Sequence, residues 1–479
     1  MSDLKKILLI FIICLLPFHL FAWTGMATPA LHVEGRNLKD PNGNNVLLHG
    51  VHMTPNPWFN GCMRGACRWN NYDVNGCLNY FNSFLDAVTD TTKGWYCNLL
   101  RLHIDKYWSD NGTTTGEDDY SKFDYNKFMA AVDNVIIPII EHAKSRGMYV
   151  ILRPPGVCPN HLDVNDGYYN VLMTVWRYLS QHPKIKNADN VMFELANEPI
   201  NVLANGIWAQ DDQAHYDKLK LIFQPMVDAI RNNGANNVIW VPGTGYQSLY
   251  RGLANNPVTG TNIGYAVHIY PGYWGMNNSD PVIFKSNWDR NIKPVADIAP
   301  IAVTEIDWAP AQYGAWGVAT TGTAGQTGFG ANFKALADAS GNVSWNLLGP
   351  EDLLDKGDPN GSIAYNNDPE ACANPVYKWF KEYAKSANIT TGINDKVTTA
   401  FQFKMSPNPS IQGNFTISFS NVIAERPQLY IYSLDGKKVY EQNNLRSDFN
   451  NISTGLKTGI YILNVYVNKL AYRKKIVVL

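Results

Sequence analysis

Eight short apolar runs recur between residues 46 and 350, separated by segments with helical spacing. They are "VLLHGVHM" (46–53), "CNLLRLHI" (97–104), "MYVILRP" (148–154), "VMFELANEP" (191–199), "NVIWVPG" (237–243), "IGYAVHIYP" (263–271), "PIAVTEIDW" (300–308) and "VSWNLLGP" (343–350). Runs this continuous suit strands covered on both faces, as strands of a parallel sheet are. The intervening segments, such as "FDYNKFMAAVDNVIIPIIEHAKSRG" (123–147) and "AHYDKLKLIFQPMVDAIRNNG" (214–234), are amphipathic and end on the Gly that a helix C-terminus favours. Eight strands alternating with helices predict a (β/α)₈ TIM barrel over residues 30–388. An open doubly wound sheet is the rival, but no G-x-G-x-x-G follows the first run, which removes that fold's nucleotide-binding sign.

With 479 residues the chain exceeds what such a barrel needs. From about residue 389 the pattern changes to a Thr-, Asn- and Pro-rich linker (389–403) and then to short strands, "GNFTISFS", "PQLYIYSLDGKKVYEQ", "TGIYILNVYVN" and "YRKKIVVL", with Asp435-Gly436 as a hairpin turn. A small β-sandwich over 404–479 is expected. From 401 onward ten Lys and Arg stand against four Asp and Glu, so this part is basic and the barrel acidic. The formal net charge of the whole chain is only −1, which gives nucleic acid no overall attraction.

The first 22 residues have two lysines, an apolar stretch from Ile7 and a small residue, Ala22, where cleavage could occur; they read as a secretory signal peptide. A retained membrane anchor is the alternative, weakened by Pro17 and His19 in an already short stretch. The six cysteines beyond it (62, 67, 77, 97, 158 and 372) suggest disulfides in an exported chain, with the connectivity open. No Cys-x-x-Cys occurs, so no metal is expected.

Polar residues gather at the C-terminal ends of the runs: Arg101 and His103, Asn197 and Glu198, His268 and Tyr270, Glu305, and Trp345. Those ends form one face of a barrel, where active sites sit. Pro199 ends its strand and holds Glu198 at the strand-to-loop junction. Two carboxylates facing each other across the mouth are what glycoside hydrolysis needs, one to protonate the leaving oxygen and one to attack the anomeric carbon or activate water. Arg101 would keep Glu305 ionised or else neutralise Glu194 inside the barrel. Taken singly, each of these residues is more often structural, and Trp345 alone reads as core packing. Charged residues are only 17% and aromatics 12%, a balance that fits stacking on neutral sugars or, equally, a large aromatic core.

"LLRLHI", "FELANEP", "HIYP" and "TEIDW" together resemble the glycoside hydrolase family 5 cellulases of clan A over roughly residues 32–385. The resemblance implies a retaining endo-β-glycanase without a cofactor. Its acid/base would be Glu198 and its nucleophile Glu305. Asn197 would meet the substrate 2-hydroxyl or the nucleophile, Arg101 would stabilise charge, His268 and Tyr270 would form a hydrogen-bonding pair, and Trp345 would be the sugar platform at the cleavage point. The third run ends in Arg153, Pro154 and Pro155 where the family often has His, and the first reads "HGVHM", with His52, where an Asn is common. The substrate would be a β-linked polysaccharide; a noncatalytic glycan-binding barrel or a β-mannanase of the same clan are alternatives. "SPNPS", "YSLDGKKV" and "LKTGIYILNV" resemble the C-terminal sorting domain of the type IX secretion pathway, which implies the secretion machinery as partner. A carbohydrate-binding module is the other reading of such a tail. A secreted or cell-surface monomer is expected.

Overall fold

The computed structural model describes residues 28–479 except 56–57, 59–72, 105–119, 157–158, 209, 271–272, 274–279, 308–328, 349–378, 381, 384–402, 420–425, 434–436, 447 and 468–469. The chain divides into two compact units, 1–385 and 386–479. In the first, all eight apolar runs form strands: β1 (His49–Met53), β2 (Leu99–His103), β3 (Tyr149–Arg153), β4 (Val191–Glu194), β5 (Ile239–Pro242), β6 (Ile263–Ile269), β7 (Ile301–Asp307) and β8 (Val343–Leu348). They pair in parallel in chain order, and β8 closes on β1, so the (β/α)₈ expectation is borne out.

Period-2 alternation divides each strand between two cores. Leu100, Leu102, Val150, Leu152, Val191 and Phe193 face out and pack with the helices. Leu99, Tyr149, Ile151, Met192, Val238, Trp240, Ala266 and Ala302 face in and form a second cluster with Leu31 and Leu38. The latter two flank and belong to a hairpin of His32–Glu34 and Asn37–Lys39. Most of the inward residues lie early in their strands. The interior is therefore apolar at its N-terminal end, and the polar residues that follow them are collected toward the opposite mouth.

Five of the helices start on an Asp whose side chain accepts backbone N–H bonds, at 73, 124, 166, 212 and 280. The segment expected as one helix over 123–147 runs as Tyr125–Ala131, a π-turn at Val132–Ile136, and Ile137–Ser145. Pro138 has no N–H to return to the preceding turn, which accounts for the wider turn just before it. Cys77 and Cys97 are buried free thiols, and burial pushes both well above the ordinary thiol range. These two take no part in the disulfides that the even count suggested; the other four cysteines lie outside the described residues.

The second unit is the expected β-rich domain. Its strands are β9 (Phe403–Ile411), β10 (Asn414–Phe419), β11 (Gln428–Ser433), β12 (Lys438–Gln442), β13 (Phe449–Ser453), β14 (Gly459–Val467) and β15 (Leu470–Val478), in the order β12-β11-β14-β15-β9-β10-β13. β9 pairs with β10 over Phe403–Ser406, loses that register where Pro407 and Pro409 have no N–H to give, and meets β15 at Ser410. Phe415, Ile417 and Ile452 from one side of this crossover share a core with Leu429, Ile431, Leu463, Val465 and Ile476 from the other, as in a sandwich. The Asp435-Gly436 turn lies outside the described residues. No described helix is long and apolar enough to cross a membrane, and the signal-like segment is not among the described residues.

Candidate active site

Arg101 is the centre of the mouth. It is fully buried, and all three of its guanidinium nitrogens are engaged: Nε donates to Glu194 Oε2 at 2.6 Å, Nη2 to Glu194 Oε1 at 3.0 Å and Asn197 Oδ1 at 2.7 Å, and Nη1 to Glu305 Oε1 at 2.5 Å. The two readings of Arg101 left open by the sequence are thus both true of its contacts. The paired fork on Glu194 fixes the guanidinium plane, and that plane aims the remaining nitrogen at Glu305. Burial works against its charge, but Glu194 and Glu305 outweigh it and raise its pKa above the usual arginine value.

Glu305 owes its orientation to a β-bulge. Val303 is in register with Trp345 and Ile306 with Leu347, so Thr304 and Glu305 together oppose the single residue Asn346. Strict alternation would turn one of them outward. Instead Thr304 Oγ1 donates to Glu194 Oε1 at 2.8 Å while Glu305 meets Arg101. The second Glu305 oxygen accepts from the Tyr270 hydroxyl at 2.5 Å. Burial by itself would raise the Glu305 carboxyl; His268, Arg101 and the Tyr270 hydrogen bond outweigh it and hold it well below the usual carboxylate range. Glu305 is an ionised, immobilised carboxylate.

Glu198 sits just past β4 with φ 47°, a left-handed conformation that costs a non-Gly residue energy. Its carboxylate is bonded to His268 Nδ1 at 2.8 Å, and the same Nδ1 lies 3.5 Å from Glu305 Oε2. One oxygen of Glu198, one of Glu305 and the His268 nitrogen are all within 4.8 Å of one another. Six of the residues singled out in the sequence (Arg101, Asn197, Glu198, His268, Tyr270 and Glu305) therefore meet in one cluster.

His103 follows Arg101 on the inward face of β2, and its Nε2 touches Nε2 of His52 on β1. Burial, then Arg101, keeps His52 well below the ordinary histidine range, so it is neutral. Arg153 is in register with His103, faces inward two residues beyond Ile151, and is 2% exposed; burial, then Arg101, lowers its pKa. Nitrogen and oxygen donors of His52, His103 and Glu305 also converge within 4.8 Å. Two buried arginines in the same mouth oppose placing a dication there. His52 and Arg153, the two departures from the family pattern, thus line the wall beside Glu305.

Trp345 does not join the cluster. It is fully buried and faces outward, with its ring against Trp379 at 5.9 Å and Phe380 at 5.3 Å, whereas Ser344 and Asn346 take the inward positions of β8. An indole enclosed by helix residues cannot stack on a sugar, which corrects the expected platform. Trp345→Ala should lower stability by about 3–5 kcal/mol, the cost of an emptied aromatic site. Trp345→Phe should stay within about threefold of the parent in KM; denaturant unfolding beside steady-state kinetics checks both.

Two residues of the mouth have no sequence signal. Gln247, in the loop after β5, and Thr304 complete the shell around Glu194, with Gln247 Nε2 donating to Glu194 Oε1 at 3.1 Å. Both are neutral, occur off the end of a periodic run or inside a bulge, and become visible only through their partners.

Comparison with known proteins agrees with this geometry. The model of cellulase (glycosyl hydrolase family 5) matches residues 62–316, more than half of the chain, and that of the secretion system C-terminal sorting domain matches 404–479. The sorting domain marks an exported protein, secreted or at the cell surface. Endoglucanase E-5 of Thermobifida fusca is 25% identical over 329 residues, covering 66% of this chain and 54% of that protein. Endoglucanase C of Evansella cellulosilytica is 30% identical over 287 residues, 57% and 30% of the two chains. The chain spans about half or less of the length of these relatives. The β-glucanase SdGluc5_26A of Saccharophagus degradans shares the fold, with a TM-score of 0.50 at 18% identity over 76% of this chain and 95% of that one. By the extent of the family match and the eight-stranded barrel beneath it, the chain belongs to glycosyl hydrolase family 5, the cellulase family.

Proposed function

We propose that the protein is a secreted, retaining endo-β-glycanase acting on a β-glucan-type polysaccharide, with Glu305 as nucleophile and Glu198 as acid/base. The observation that carries this reading is that an oxygen of Glu198 and an oxygen of Glu305 lie within 4.8 Å of each other, too close for a water and a sugar to stand between the carboxylates. Retaining pairs stand about 5–5.5 Å apart, and an inverting pair needs about 6.5–9.5 Å to admit water between carboxylate and sugar. Arg101 and Tyr270 keep Glu305 ionised and fix both its oxygens, which suits a nucleophile that must attack along one line. Attack forms a glycosyl ester on Glu305 as Glu198 gives its proton to the leaving oxygen; Glu198 then takes a proton from water, which cleaves the ester. The endoglucanase names of the relatives support a glucan over other β-glycans.

The test is to incubate the full chain with a panel of β-linked glucan, mannan, xylan and galactan and follow new reducing ends by proton NMR. Release of the β-anomer first, on the glucan above all, is the expected result. First appearance of the α-anomer would overturn retention, and no release from any polysaccharide would overturn catalysis in favour of a glycan-binding barrel.

A further inference from the structure

Gln247 is fully buried and touches residues of β4 and its following loop, of β6 and of β7. Its Oε1 accepts from the Glu198 backbone N–H at 2.7 Å. Its Nε2 donates to Glu194 Oε1 at 3.1 Å and lies 3.4 Å from Thr304 Oγ1 on the bulge of β7. Its backbone carbonyl accepts from the N–H of His268, the partner of the Glu198 carboxylate, at 3.1 Å. The partners leave no ambiguity about the amide: an N–H needs an acceptor and a carboxylate needs a donor, so oxygen faces Glu198 and nitrogen faces Glu194.

The chain goes to some expense to place this side chain. Gly245, Tyr246 and Gln247 have φ of 58°, 58° and 57°, and the loop is closed by a bridge between Thr244 and Leu249. Two non-Gly residues in succession in the left-handed region are held only where the surroundings over-determine them. The turn leaves Tyr246 exposed and carries Gln247 inward to a third strained residue, Glu198. A Glu198 backbone released from that bond would relax toward ordinary φ and swing its carboxyl away from His268 and the leaving oxygen.

We infer that Gln247 is the positioning residue for the acid/base, holding the strained Glu198 backbone so that its carboxyl stays on the leaving-group side of the mouth. The role rests on the glycanase reading above and is exerted on Glu198, while Glu305 keeps its own bonds to Arg101 and Tyr270.

The prediction separates acid assistance from nucleophilic attack. Gln247→Met keeps the length of the side chain and removes its polar contacts to Glu198, Glu194 and Thr304. It should lower kcat/KM on the polysaccharide about 100-fold, the scale of general acid catalysis. On a 2,4-dinitrophenyl β-glycoside of the same sugar, whose leaving group needs no proton, kcat/KM should stay within about threefold. Parallel loss on both substrates, or no loss on the polysaccharide, would overturn the inference.

Gln247→Glu covers the case in which the Met variant does not fold. Beside buried Glu194 the introduced carboxyl has a raised pKa, and while protonated it can accept from Glu198 N–H and donate to Glu194 as the amide does. Activity should be close to the parent at acid pH and fall as that carboxyl ionises, so the alkaline limb of the profile moves to lower pH. A uniform reduction at every pH would count against the role. A parent chain that cleaves neither substrate would instead strike at the glycanase reading itself.

Discussion

Glu305→Ala is expected to reduce polysaccharide hydrolysis by on the order of 10⁴- to 10⁶-fold, since the variant has no group to form the covalent intermediate. The loss should appear in kcat, with substrate binding preserved in a pull-down on insoluble polysaccharide. The space left by the carboxylate permits a further check. With a dinitrophenyl β-glycoside, azide entering from the vacated face should give the α-glycosyl azide, whereas in Glu198→Ala azide attacks the ester on Glu305 and gives the β-azide. The reverse outcome, β-azide from Glu305→Ala and α-azide from Glu198→Ala, would show that the two roles have been assigned to the wrong residues. The pH dependence has a definite sign as well. Because Glu305 is held ionised well below the usual range, its charge contributes stability above the unfolded carboxylate pKa of about 4.3 and the contribution is lost as pH falls through the lower folded value. The acid limb of activity is therefore set by groups other than the nucleophile.

The barrel was legible because its strands are covered on both faces and so read as uninterrupted apolar runs, several of them ended by a polar residue at the mouth. That grammar also exposed Arg101, Glu198, His268 and Glu305 as neighbours in space although as many as 204 positions separate them in sequence, as for Arg101 and Glu305. It failed where strict alternation fails. The bulge at Thr304 turns two successive side chains inward, and no run of apolar residues announces it. It failed again for Trp345, whose parity on β8 points it outward, a fact fixed by register against His49 rather than by residue type. Gln247 was invisible for a third reason: it lies past the end of β5, in a turn whose left-handed residues include only one Gly. A neutral side chain in such a turn has no signature until the bonds it closes are seen. His52 and Arg153 were noticed only as misfits, yet both are buried in the mouth that holds the nucleophile.

Arg101 carries the second large expectation, because it is at once the support of the nucleophile and half of a buried ion pair. Arg101→Met leaves Glu194 fully buried with Thr304 and Gln247, neither of them charged, as its remaining hydrogen-bond partners among the described residues, and removal of one partner from such a pair costs about 3–5 kcal/mol. That is a large part of a typical folding stability of about 5–15 kcal/mol, so the variant should unfold at visibly lower denaturant concentration. It should also lose at least about 100-fold in kcat, because Glu305 loses the bond to Nη1 and the cation that keeps it ionised. The two effects come apart in the double variant Arg101→Met with Glu194→Gln. Neutralising the abandoned carboxylate should restore much of the stability, since removing both charges of a buried pair is far milder than removing one. It cannot restore kcat, because nothing new reaches Glu305. Arg101→Lys makes the same point from the other side: the charge remains, but one ammonium cannot fork onto Glu194 and still reach Glu305, so folding should survive better than catalysis. If the double variant regained activity along with stability, Arg101 would be a structural counter-ion for Glu194 and its contact with Glu305 incidental.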